Sequence, residues 1–142
     1  MQSYGQWYRI FTVALMHDQI SDIPYHLAFN MLALHSLGTQ IESVLGKARY
    51  FAIFFFSLLT GSLTSAYFLP FNGYSIGVSG AVFGLFGAIL VMGRRYGVGM
   101  RAVLVTVGIN LAIGFTIPGI DWRAHVGGLI GGAAITRLLI HK

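Results

Sequence analysis

An apolar helix that starts on a serine and stops at two arginines sets the terms for this chain. Gly77-Val78-Ser79-Gly80 leads into Ala81-Val82-Phe83-Gly84-Leu85-Phe86-Gly87, and the run ends near Met92, before Arg94-Arg95. Ser79 and Arg94 are 15 positions apart, about 22 Å of helix at 1.5 Å per residue. A bilayer hydrocarbon core is about 30 Å thick. If the arginines mark one membrane face, Ser79 does not reach the other. It lies submerged on the first turn of a short helix, and the rest of the chain has to be read for reactive groups at the same depth.

Lipid is the solvent that the composition requires. The 142 residues, enough for one domain, are 56% hydrophobic and 9% charged, with mean hydropathy +0.73; a soluble domain carries about 25% charge. No basic start followed by an apolar run is present, so a cleavable signal is not expected. The chain has no cysteine, which excludes disulfides and thiolate metal sites, and no metal or cofactor is expected. The net charge of +5 does not point to nucleic acid, because basic residues mark the cytoplasmic loops of a membrane chain.

Residues 1–24 are amphipathic, mixing Trp7, Tyr8, Arg9 and Phe11 with His17, Asp18 and Asp22, and read as an outer interfacial segment. Five spans follow, at about 25–42, 50–69, 79–93, 102–117 and 123–140. Pro70-Phe71-Asn72-Gly73-Tyr74 makes a turn, 94–101 a basic loop, and Pro118-Gly119 closes the fourth span. The expected fold is an all-α polytopic membrane protein, one domain over 1–142. With the 47–49 and 94–101 loops and the carboxyl end inside, Lys47, Arg49, Arg94, Arg95, Arg101, Arg137 and Lys142 lie near the cytoplasm and only Arg9 and Arg123 outside, a strong positive-inside bias.

Three helices then run from outside to inside, and their polar residues can be compared by depth. Asn30 lies 17 positions before Lys47, Ser79 15 before Arg94, and His125 17 before Lys142, each about 22–26 Å of helix. His26, one turn above Asn30, shares its face. Spacing thus puts Ser79, His125, Asn30 and His26 in one layer. A lone serine in a membrane helix is ordinarily a packing residue bonded to the preceding turn, and a lone histidine a satisfied structural one. Asn30 also reads as an interhelical hydrogen-bond residue and His26 as an interfacial one. Ser79 and His125 at matched depth favour a nucleophile with its general base. Gly80, Gly84 and Gly87 on one helix, and Gly128 and Gly132 on the other, let two backbones approach closely enough for that pair to bond. The Ser79 amide at a helix N-terminus is a free donor for an oxyanion, and Asn30 and His26 offer side-chain donors. Asp121, four before His125, reads as a helix cap rather than a third member of a triad.

His26-x-x-x-Asn30, Gly77-Val78-Ser79-Gly80 and Ala124-His125-x-x-Gly128-x-x-x-Gly132 resemble the signature motifs of the rhomboid intramembrane serine proteases. Arg9 with Ala14-Leu15-Met16-His17 resembles the end of the family's first loop, and Asn30, Gly38, Glu42 and Gly46 follow its intervals on the second transmembrane helix. The resemblance implies a bacterial-type serine endopeptidase, multi-pass in the inner membrane, that cleaves transmembrane proteins through a Ser79–His125 dyad opening to the extracytoplasmic side. It implies an oxyanion hole from His26, Asn30 and the Ser79 amide, with Gly77, Gly80, Gly128 and Gly132 supporting. It places Phe83 where a family aromatic packs on the catalytic histidine, a position equally suited to a core aromatic, and gives His17 and Glu42 structural positions. The loop at 116–122 corresponds to one that helps gate substrate access. The sequence departs from the family at Tyr8-Arg9, where the pair is Trp-Arg, in an insertion at about 19–25, and in holding five of the family's six spans. A client-binding rhomboid-like protein without catalysis is the alternative; a transporter fragment ranks third, because neither inverted repeats nor paired broken helices are evident. Oligomeric state is left open.

Overall fold

The computed structural model describes residues 8, 12, 25–68, 78–96 and 99–141. Apart from Tyr8 and Thr12, the expected interfacial segment at 1–24 lies outside these, as do His17, the turn at 70–74 and Gly77. The described residues form five α-helices and no strand: α1 (Tyr25–Leu45), α2 (Lys47–Phe68), α3 (Ser79–Tyr96), α4 (Met100–Thr116) and α5 (Trp122–Ile140). Helix α2 has 22 residues, about 33 Å, and by length and composition alone is fit to cross a membrane. Ser79–Gly93 and Met100–Thr116 are apolar and shorter.

Helix α3 carries Arg94 and Arg95 within it and runs to Tyr96, beyond the expected end near Met92. Arginine is a good helix former, so the charge does not stop the helix; the glycines at 97 and 99 are the first breakers after it. Between α1 and α2, Gly46 takes φ +84° and its N–H bonds the Glu42 carbonyl at 2.8 Å, the left-handed helix end that glycine adopts without strain.

Helix α3 is the core. It packs against each of the other four helices, and Ala81, Val82, Phe83, Leu85, Ala88, Ile89 and Met92 are all buried, as expected for a helix apolar on every side. Leu37, Ile41 and Leu45 of α1, Ile53 and Leu58 of α2 and Val78 just before α3 pack into the same core. Helix α5 lies against α3 through glycines: a Cβ on Gly128 would collide with the Gly80 carbonyl, and one on Gly132 with that of Gly84. A second row, Gly127 and Gly131, receives Thr64 and Thr60 of α2. The hydroxyls on this side bond within α2, Ser57 to Ile53 O at 2.6 Å, Thr60 to Phe56 O at 3.0 Å and Thr64 to Thr60 O at 2.8 Å, so they bring little polarity to the contact. Outward faces are apolar, with Phe51 and Phe55 on α2, Leu104, Val105 and Ile109 on α4, and Ile130 and Leu138 on α5 exposed, a surface matched to hydrocarbon rather than water.

Candidate active site

Ser79 is the first residue of α3. The first bond within that helix runs from Val82 N–H to Val78 C=O at 3.1 Å. The amides of Ser79, Gly80 and Ala81 therefore precede the internal ladder, at the electropositive end of the helix. His125 lies in the first turn of α5, and its own N–H makes a bond to Asp121 C=O at 3.3 Å. The closest glycine contact joins Gly80, next to Ser79 on α3, to Gly128, one turn past His125 on α5, and draws the two first turns together. His125 Nε2 stands 3.0 Å from Ser79 Oγ, within the range for proton transfer between a nucleophile and its base. With the proton on Nδ1, the Nε2 lone pair accepts the serine O–H.

The imidazole is held on several sides. Phe83, one turn below Ser79, stacks on it with centroids 4.1 Å apart and planes 6° from parallel. Gly114, in the last turn of α4, lies beside it: a Cβ there would sit 3.6 Å from His125 Nδ1 and 3.3 Å from Trp122 Cβ. His125 is 7% exposed, while Ser79 is half-buried. A histidine so enclosed has few orientations, and the one it holds points Nε2 at the serine.

Asp121 caps α5. Its Oδ1 accepts from the amides of Arg123 and Ala124 at 3.2 and 3.3 Å, and its Oδ2 accepts from the Ser65 hydroxyl of α2. Its carboxylate is thus committed to the helix end. Before it, Ile117-Pro118-Gly119-Ile120 turns the chain from α4 into α5, with Gly119 at φ +91° and an Ile120 N–H to Ile117 C=O bond of 3.4 Å. Proline second and glycine third suit a type II turn. Arg123 lies over the Trp122 ring at 4.7 Å, and Trp122 packs on Phe115 at 4.6 Å, tying the turn to α4.

Of the residues expected from sequence, Ser79, His125, Phe83, Gly80, Gly128 and Gly132 meet at the α3–α5 junction. Asn30 is 8% exposed and lies near the start of α1, which packs on α3. His26 is in the first turn of α1, with its side chain outside the described part, and Gly77 is outside it altogether. Sequence reasoning missed Ser65, Gly61 and Gly114. Gly61 lies where α2, α3 and α5 converge, its Cβ position 2.9 Å from the Ala124 carbonyl oxygen and 3.3 Å from Gly80 Cα. The signal was present in α2 as Ser57, Gly61 and Ser65, small residues four apart on one face. Among the described residues no cluster fit for a metal ion is found.

The family model for the rhomboid domain matches residues 4–142. The chain is 40% identical over 136 residues to the Rhomboid protease GluP of Bacillus subtilis (strain 168), covering 90% of this chain and 25% of that protein. It is 29% identical over 143 residues to the Putative rhomboid protease YdcA of the same organism, covering 97% and 70%. It is 35% identical over 142 residues to RHOMBOID-like protein 7 of Arabidopsis thaliana, covering 95% and 44%. The chain thus spans about a quarter of the first of these relatives and less than half of the third. A helical bundle with lipid-matched faces, and a family match over nearly its whole length, show that this chain belongs to the rhomboid family of polytopic membrane proteins.

Proposed function

We propose that the chain is an intramembrane serine endopeptidase of transmembrane proteins, with Ser79 as nucleophile and His125 as general base. The observation that carries this reading is the 3.0 Å approach of His125 Nε2 to Ser79 Oγ. In the reaction, Ser79 Oγ attacks the scissile carbonyl carbon and its proton passes to Nε2. The carbonyl oxygen becomes an oxyanion, for which the Ser79 amide, Asn30 and His26 are the donors. The imidazolium gives its proton to the departing amine, the C–N bond breaks, and an acyl ester remains on Ser79. Water, deprotonated by His125, attacks that ester; the acid leaves and Ser79 regains its proton. Each oxyanion donor contributes about 10²–10³ in rate.

The site sits at the first turns of α3 and α5, with Ser79 half-buried, so water reaches it from one end of the bundle. We assign that end to the extracytoplasmic side of a bacterial inner membrane, from the bias of basic residues towards the other end. A peptide bond in an intact helix is shielded, so the substrate is a transmembrane segment with helix-weakening residues near the cut.

The test is hydrolysis of a single-span reporter whose helix is interrupted by glycine or proline, incubated with the chain in membranes. Cleavage is expected with the wild type and lost with Ser79→Ala and with His125→Ala. Cleavage that persists undiminished in Ser79→Ala would sink this reading. Stable capture of the reporter without cleavage would favour a client-binding role instead.

A further inference from the structure

We propose that Ser65 and Asp121 form a positioning pair which sets the place of His125 from a helix that contributes no reacting group. The inference rests on the dyad reading above and extends it to α2. His125 is in the first turn of α5, and that turn is the part of a helix that frays first, because its amides lack partners within the helix. Asp121 supplies them. Its Oδ1 binds Arg123 N and Ala124 N, the two residues before His125, and its main-chain oxygen binds His125 N. One residue therefore governs whether the turn that carries the imidazole is formed.

Ser65 adds the anchor. The residue is 3% exposed and its hydroxyl donates to Asp121 Oδ2, joining the cap to α2. Four residues earlier on the same face, Gly61 lies against the Ala124 carbonyl, Gly80 and the Gly128 amide. Helix α2 thus meets α5 at the cap through a hydrogen bond and one turn below through backbone contact. Two fixed points on one helix end define both its height and its rotation. A slip of one residue moves a side chain by about 1.5 Å along the axis and about 100° around it, more than the Ser79–His125 bond tolerates. A hydrogen bond to a carboxylate is among the stronger neutral–charged contacts, and the Ser65 bond reaches another helix, whereas the Ser57, Thr60 and Thr64 hydroxyls bond within α2.

The test measures phosphonylation of the chain in membranes by a fluorophosphonate, resolved into the rate at saturating probe and the probe concentration giving half that rate. Cooperative melting, followed by circular dichroism, reports the folded fraction. Ser65→Ala keeps the Oδ1 cap and loses only the anchor. It is expected to lower the saturating rate about tenfold or more, since small misplacements act on the chemical step, with the half-saturating concentration within about twofold of wild type. Asp121→Ala loses cap and anchor and falls further, and adding Ser65→Ala to it changes nothing more. Asp121→Asn retains an oxygen for the cap and an amide that Ser65 can accept from, so it rescues the rate to within about threefold of wild type. Ser62→Ala, another buried serine of α2, is the control and leaves the rate unchanged. The proposal is overturned if Ser65→Ala reacts as wild type, if Ser62→Ala is slowed as much, or if Asp121→Asn is no better than Asp121→Ala. Wild-type chain that shows no Ser79-dependent labelling overturns the dyad reading, and this pair with it; labelled wild type beside an unaffected Ser65→Ala overturns the pair alone.

Discussion

Gly128 is where a single methyl group tests the whole arrangement. A Cβ added there would stand 2.7 Å from the Gly80 carbonyl carbon and 3.2 Å from Gly80 Cα. Both are backbone atoms in the first turn of the packed helix α3, and neither can rotate away. Ordinary contact begins at 3.4 Å, so α3 and α5 must part by at least about 0.7 Å, and by more to clear the carbonyl oxygen. Gly80 adjoins Ser79, and Gly128 is one turn from His125, so the opening falls on the dyad almost undiminished. The 3.0 Å bond then lengthens to about 3.7 Å or beyond, outside the range of a nucleophile–base hydrogen bond. A misplacement of about 1 Å costs about a hundredfold in rate, or about 2.7 kcal/mol of activation free energy. Overpacking itself destabilises by about 1–3 kcal/mol. Gly128→Ala is therefore expected to lower both the saturating rate of fluorophosphonate labelling and the melting temperature in micelles. Gly108→Ala is the matched control, because a Cβ at Gly108 meets nothing within 4 Å; it should leave the rate unchanged and strengthen α4 by up to about 1 kcal/mol of helix propensity. A folded Gly128→Ala chain that labels within about threefold of wild type would refute the argument that close glycine packing sets the dyad distance.

Further predictions concern the residues around the pair. Asn30→Ala is expected to lower the saturating rate by about 10²–10³ if it donates to the oxyanion, seen as a fall in reporter cleavage with folding retained; a rate near wild type would leave Asn30 as a packing residue. Phe83→Ala removes a stacked ring worth about 0.5–1.5 kcal/mol beyond its buried area and opens a cavity beside His125, so melting temperature and labelling rate should fall together, whereas Phe83→Tyr should keep most of both. Gly46→Ala places a side chain at φ +84° in open space; it should destabilise by about 1–2 kcal/mol through backbone strain alone and leave the labelling rate per folded molecule unchanged.

The parts of this molecule legible in its sequence are those that follow from depth and from spacing on one helix. Ser79, His125 and Asn30 could be ranked by distance from a basic boundary because lipid fixes one axis of a membrane protein, and Asp121 could be read as a cap because it directly precedes the last helical run. Glycines four apart announced a close contact between α3 and α5. Which helix sits on the second glycine row was not legible: Gly127 and Gly131 meet Thr64 and Thr60 of α2, a pairing that depends on rotation about α5, and periodicity within one helix does not specify that rotation relative to its neighbours. Ser65 was hidden for the same reason. A serine in a Phe- and Leu-rich span looks like a packing residue until its partner, 56 positions away, is brought beside it. The end of α3 was misjudged because charge was taken as a stop, whereas Arg94 and Arg95 continue the helix to Tyr96: a membrane boundary and a helix end are set by different forces.

Activation of Ser79 as a nucleophile by His125 is tested by the mass and location of the covalent adduct that a fluorophosphonate forms on the chain in membranes. One phosphonyl group per molecule is expected, mapped by peptide sequencing to Ser79, lost in Ser79→Ala and formed at least about a thousandfold more slowly in His125→Ala. An adduct on another serine, or labelling of Ser79 that is indifferent to His125, would contradict it.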